Sequence, residues 1–174
     1  LNIISVLFNL IQPQSIPDSN FLRGKANLES GRYDSALIYL DKANGQNPGN
    51  ADILLSKGMA LYKKGQFAMA INEFEKVDKI TKGMASVWNA RCYARLGNVE
   101  KCIEALNLHM SSNYRLPEST LLLDPDLTLV ENHPEYISFW KKGTWYTGFD
   151  QTIAEAEYLI KSGKYPEAIN VLSE

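Results

Sequence analysis

The chain alternates short amphipathic stretches with glycine-centred breaks. The first two stretches, FLRGKANLES and YDSALIYLDKAN, read as helices that meet at Gly31 and are closed by Pro48. The same reading gives helical pairs at 18–30 with 33–44, 51–64 with 67–78, and 83–96 with 99–110. The breaks are alike: Ser30-Gly31-Arg32-Tyr33, Lys64-Gly65-Gln66-Phe67, Leu96-Gly97-Asn98-Val99 and Ser162-Gly163-Lys164-Tyr165. A glycine takes φ > 0 without steric cost, so it ends the first helix and reverses the chain. The ring two residues later, or Val99, packs back onto that helix. Small residues follow at Ala36, Ala70, Cys102 and Ala168, where paired helices touch most closely, and the first helices match them with Gly24, Gly58, Ala90 and Ala156. Large residues then stand at Leu40, Phe74, Leu106 and Leu172. Gly31 and Gly65 are 34 residues apart, Gly65 and Gly97 are 32 apart, and Gly97 and Gly163 are 66 apart, close to two periods. A fixed spacing in the low thirties marks a helical repeat array, whereas an ordinary helical bundle would need all four coincidences at once.

The set of small residue, aromatic, Ala and late Pro resembles the tetratricopeptide repeat, whose period is about 34 residues. The resemblance covers 17–110 and 149–174 in four copies. It departs from the family at the frequent early Trp, which is Asn20, Leu54, Ser86 and Thr152 here, and at the late Pro, which is clear only at Pro48. The resemblance implies an all-α chain, a right-handed superhelix of helical hairpins. Units are expected at 17–50, 51–82 and 83–112, with a degenerate hairpin at 113–148 and a truncated unit at 149–174. The string LDPDLTLVENHPEYISFW at 123–140 resembles a segment that closes tetratricopeptide sets in bacterial proteins, which makes a bacterial source the expectation.

Residues 1–11 are apolar and uncharged, with Asn2, Ser5, Asn9 and Gln12 on one helical stripe, and Gln12 to Pro17 reads as a loop. A packed helix covering the first repeat is the first reading. A signal remnant is the second, and an interfacial membrane helix the third. In 113–148, Pro117-Glu118 opens a helix that Asp124-Pro125-Asp126 stops, and His133-Pro134 starts another that ends at Gly143. The last copy stops at Glu174, short of a full period, and the start is not Met. A piece of a longer protein is therefore expected.

Composition narrows function by exclusion. The net charge of −2 opposes a nucleic-acid binder built on phosphate contacts. Two cysteines make neither a metal framework nor a disulfide scaffold. No run reaches the roughly 18–20 apolar residues that span a bilayer. Candidate catalytic groups are thin. His109 stands near a helix C-terminus that suits an imidazole, and His133 reads as a helix cap. Asp124 and Asp126 read as a helix stop with an N-cap rather than metal ligands. Arg23-Gly24-Lys25 lacks the rest of a phosphate loop. Cys102 fills an Ala slot, and a disulfide to Cys92 is left open. Trp88, Trp140 and Trp145 read as packing residues, with Trp145-Tyr146 as an exposed anchor in the second reading. No cofactor, metal or catalytic residue is expected.

The family resemblance implies that the first helices line the inner face. Carried across, its positions are Asp18, Phe21, Lys25, Leu28 and Glu29; Asp52, Leu55, Met59, Tyr62 and Lys63; and Met84, Val87, Arg91, Ala94 and Arg95. The expected groove is apolar at its centre with basic residues on one flank, suited to a peptide with apolar and acidic residues. Tetratricopeptide domains that grip chaperone tails place a Lys, an Asn and further basic residues where this chain has Phe21, Lys25, Ser56, Met84 and Trp88, so no carboxylate clamp is expected. The function implied is a protein–protein interaction scaffold or adaptor. A substrate-recruiting segment of a larger enzyme and a structural subunit of a bacterial envelope complex are the alternatives. Self-association through the open C-terminal end is a further expectation. Few charges, many Asn, Ser and Tyr, and the apolar start favour the envelope over the cytoplasm.

Overall fold

The computed structural model describes residues 19–173 apart from 143, 144, 147 and 162, with backbone only at 149, 151, 154, 158 and 161. The helix expected over 1–11, the loop to Pro17, Asp18 and the helix stop at Gly143 lie outside the described residues. Among those described, every regular element is helical. The chain divides into two compact units, one ending at Ile80 and the other starting at Thr81.

The first unit holds α1 (Ser19–Glu29), α2 (Tyr33–Gln46), α3 (Ala51–Lys63) and α4 (Phe67–Ile80). Each packs on its chain neighbour, and α1 also touches α3, so successive first helices lie side by side. The hairpins close as the glycines predict: Gly31 and Gly65 have φ of 73° and 74°. Gln66 N–H donates to Leu61 O (2.9 Å) and Gly65 N–H to Tyr62 O (2.8 Å), so two end carbonyls of α3 find donors within the turn. The same bond pair recurs at Arg32 and Gly31, at Asn98 and Gly97, and at Lys164 and Gly163. Between hairpins, Pro48-Gly49 turns the chain, and the Asn50 side chain accepts the N–H groups of Asp52 and Ile53 to start α3.

The two glycines inside first helices are sites of close approach. A Cβ on Gly24 would stand 2.7 Å from the Leu40 side chain, and one on Gly58 2.4 Å from the Phe74 ring. Leu40 and Phe74 have no exposed surface, nor do Ala36 and Ala70. Lys57, Asp41 and Glu73 then tie α2, α3 and α4: Lys57 Nζ lies 2.8 Å from Asp41 and 3.6 Å from Glu73. Burial lowers the Lys57 pKa, but the hydrogen bond to Asp41 and the field of Glu73 outweigh it and leave it raised.

The second unit holds α5 (Ser86–Arg95), α6 (Val99–Met110), α7 (Glu118–Leu122), a 3-10 turn (Leu127–Val130), α8 (Pro134–Lys142), α9 (Gly148–Lys161) and α10 (Tyr165–Ser173). Its core gathers Ala90, Cys102, Leu106, Leu121, Leu127, Val130 and Phe139, with the 3-10 turn against α5 and α8 against α6. Two expectations change here. The first helix of this pair begins at Ser86 rather than 83, because Gly83 takes a φ of 84° with Ser112 seated where a side chain would be. Met84 thus precedes the helix. The 113–148 hairpin is built of a five-residue helix, a 3-10 turn and α8. In the last hairpin Ala156 and Ala168 are buried, while α10 leaves Tyr165, Ile169 and Leu172 more than half exposed.

These contacts set opposite outcomes for two glycine substitutions. Gly58→Ala should destabilise by roughly 1–3 kcal/mol, the cost of overpacking a filled core. Gly45→Ala should stabilise by about 0.5–1 kcal/mol, because nothing stands within 4 Å of its Cβ and Ala is the better helix former. Urea unfolding of both variants measures this, and equal shifts would contradict the close approach at Phe74.

Candidate functional site

In the first unit, Phe21 and Leu28 are half-buried against the Ala36–Leu40–Ala60 cluster. Leu55, Met59 and Tyr62 on α3 are likewise half-buried, and Lys25 and Lys63 are exposed. Each lysine leans over a ring of its own helix. Lys25 Nζ lies 5.8 Å from the Phe21 centroid, and Lys63 Nζ lies 5.8 Å from that of Tyr62. Tyr62 itself stands edge-on to Phe67 at 5.7 Å. Exposed contacts of this kind are worth about 0.5–1 kcal/mol each, enough to orient the side chains while leaving the charge solvated. The α1–α3 contact brings these predicted residues onto neighbouring helices of one unit.

The predicted residues of the third copy take other places. Val87 is buried in the core of the second unit. Arg91 Nε donates to Asp124 Oδ2 at 2.6 Å, with the Arg91 side chain 16% exposed and that of Asp124 4%. The guanidinium also lies 4.5 Å from the Trp88 centroid. Arg95 stands 3.6 Å from Asp126, whose carboxyl burial pushes upward. Asp124 Oδ1 meanwhile accepts the N–H groups of Asp126 (3.0 Å) and Leu127 (3.4 Å), while Asp126, which stands at the N-cap of the 3-10 turn, makes no side-chain cap bond. One carboxylate therefore starts the turn and holds α5. Sequence reasoning missed this pairing across 33 residues. The signal was two arginines four apart on a helix and two carboxylates flanking one proline.

His109 is buried and serves as a neutral link. Its Nε2 accepts the Leu116 N–H at 3.0 Å, which leaves the ring proton on Nδ1, 3.3 Å from Ser86 Oγ. Ser86 Oγ–H donates to Gly83 O. Burial, then the Arg91 field, lowers the imidazole pKa from 6.5 to about 4. The expected favourable pairing of this ring with the helix terminus is replaced by a side-chain bridge. Cys92 and Cys102 are free and buried, and burial pushes both thiols up to about 12. Trp145 stacks on Phe139 (centroids 5.0 Å) and donates Nε1–H to Phe139 O, so it packs rather than projects. Among the described residues no group of three His, Cys, Asp or Glu is placed to hold a metal, and no helix is long and apolar enough to cross a membrane. Ser56, in a chaperone-clamp slot, is buried and donates to Asp52 O.

These hairpins have a match among known families. Residues 27–89 match the model described as tetratricopeptide repeat. A solved structure, the TPR2AB domain of yeast Sti1 in a complex with pHSP90, aligns with a TM-score of 0.54 and 16% identity. The alignment covers 91% of this chain and 62% of that one. No curated protein matches. The fold is all-α and of the tetratricopeptide kind, its hairpins carrying the close small-residue contacts in both units.

Two outcomes follow from the polar links in the second unit. Asp124→Ala should cost roughly 3–5 kcal/mol, as for removing one partner of a buried pair, while Arg95→Ala should cost under about 1 kcal/mol. Urea unfolding distinguishes them, and similar costs would show that Arg91 does not depend on Asp124. For His109, the folded pKa lies below the unfolded one, so the unfolded chain takes up the proton first as pH falls. Stability is full above about 6.5 and drains towards 4. Between pH 7 and 5 the loss from this group should be roughly 2 kcal/mol. His109→Gln should flatten that part of a stability–pH curve; an unchanged slope would exclude His109 as its source.

Proposed function

We propose that this protein is an interaction scaffold that holds a partner peptide on the first helices of its tetratricopeptide hairpins and performs no chemistry of its own. The observation that carries the reading is the face of α1 and α3. There Phe21, Leu55, Met59 and Tyr62 remain half-buried while Lys25 and Lys63 stay solvated beside them. Partly exposed rings and a methionine adapt to apolar side chains, and the lysines favour a partner that also carries Asp or Glu. The Sti1 domain, seen with a bound partner, supports peptide capture as a use of this fold. It does not carry over a chaperone partner, because the clamp positions hold Phe21, Lys25, Ser56, Met84 and Trp88. Arg91 and Arg95, expected to flank the groove, have their charge met by Asp124 and Asp126, so the reading rests on the two lysines. A bacterial source is part of the reading through the resemblance of 123–140.

Affinity capture followed by mass spectrometry identifies the partner, and calorimetry with its peptide tests the face. Lys25→Glu combined with Lys63→Glu should weaken binding at least tenfold with an unchanged melting temperature. Unaltered affinity in that double variant would remove α1 and α3 as the binding surface.

A further inference from the structure

A cleft of about 470 Å³ lies in the second unit between the 115–122 segment and α9. Leu116, Pro117, Leu122, Tyr146 and Ile153 form its apolar wall. The volume falls within the 300–1,000 Å³ typical of ligand sites. Two side chains brace the walls. Tyr146 O–H donates to Leu116 O at 2.6 Å. Arg115 Nη1 donates to Trp145 O at 2.6 Å and Nη2 to Asp150 Oδ1 at 2.9 Å. The cleft is thus cross-linked before any ligand arrives, which lowers the ordering cost of binding. Apolar surface continues past its edge: Leu122 is 45% exposed and Leu123 78%.

The charges around it are unbalanced. Arg115 is occupied by Asp150 and covered by Tyr146, whose centroid lies 5.1 Å from the guanidinium. Glu118 and Glu157 also line the cleft, and neither is ion-paired among the described residues. One cation against three carboxylates gives the lining a net charge of −2. An apolar pocket lined also by the partly exposed Glu118 and the exposed Glu157 selects a ligand that joins an apolar group to a cation. That charge preference is opposite to the one carried by Lys25 and Lys63.

We propose that this cleft is a second peptide-binding site, taking a segment in which an apolar side chain is flanked by Lys or Arg. The apolar side chain enters between Leu116 and Ile153, and the basic neighbour reaches Glu118 or Glu157. The test uses a display library of short random peptides selected on the intact chain, with recovered peptides titrated by fluorescence anisotropy. The expected consensus is an apolar residue beside Lys or Arg. Its affinity should fall at least tenfold in Glu118→Lys combined with Glu157→Lys, and several-fold in the isosteric Glu118→Gln with Glu157→Gln. Raising the salt concentration should weaken it as well. The Gln pair keeps side-chain shape, so matching melting temperatures separate charge loss from unfolding. Lys25→Glu with Lys63→Glu should leave these peptides bound, which keeps this outcome distinct from that at the α1–α3 face. An acidic consensus, a failure to recover any peptide, or peptides indifferent to both Glu pairs would each overturn the assignment.

Discussion

Paired helices in this chain approach until backbone meets side chain, and most other features depend on that contact. Where Leu40 lies on Gly24 and Phe74 on Gly58, even a methyl group has no room. Close approach buries the apolar stripe of a helix that is only 11 to 14 residues long, too short to be stable alone in water. It also fixes which face remains. With Gly24 and Gly58 turned to the second helices, Phe21, Leu55 and Met59 are left at the edge of the packing, half in and half out. The candidate binding surface is thus what remains of each first helix after its partner has been accommodated.

The hairpins were legible because their signals are local. Four glycine turns, small residues at matched positions and large residues opposite them are all encoded within one period, and each turn glycine takes a positive φ with the same two closing bonds. The start of α5 was misplaced because Gly83 resembles any helix-adjacent glycine. What decides its conformation is Ser112, on the far side of α6, which no local pattern announces. The charge roles failed for the same reason. Lys25 and Arg91 share one repeat position and Lys63 and Arg95 another, yet the two lysines lean on rings of their own helices and the two arginines meet carboxylates more than thirty residues away.

Burial decides between those roles. An exposed lysine over a ring keeps its hydration and loses little by being there, so its charge is available to a partner. Arg91 is mostly removed from water and would be costly without Asp124, which is itself nearly inaccessible. The pair therefore ties the 123–127 loop to α5. His109 belongs to the same class. Its two ring nitrogens join the first residue of α5, Ser86, to the loop after α6, a linkage that needs the neutral imidazole with one donor and one acceptor.

A repeat architecture makes such a division of labour accessible. In a closed core, changing one charged residue disturbs packing throughout, because its neighbours are shared. In the first unit each helix packs on its chain neighbour, whereas the departure from the repeat at 113–148 makes its own polar contacts within the second unit, with the 3-10 turn on α5 and α8 on α6. That departure inserts Pro117, Pro125 and Pro134 where a regular copy would run two helices. Irregularity in a repeat array is where new polar and apolar surface becomes available at least cost to the stack. It is at this irregular copy that Asp124 is buried against Arg91 and that the braced acidic cleft lies.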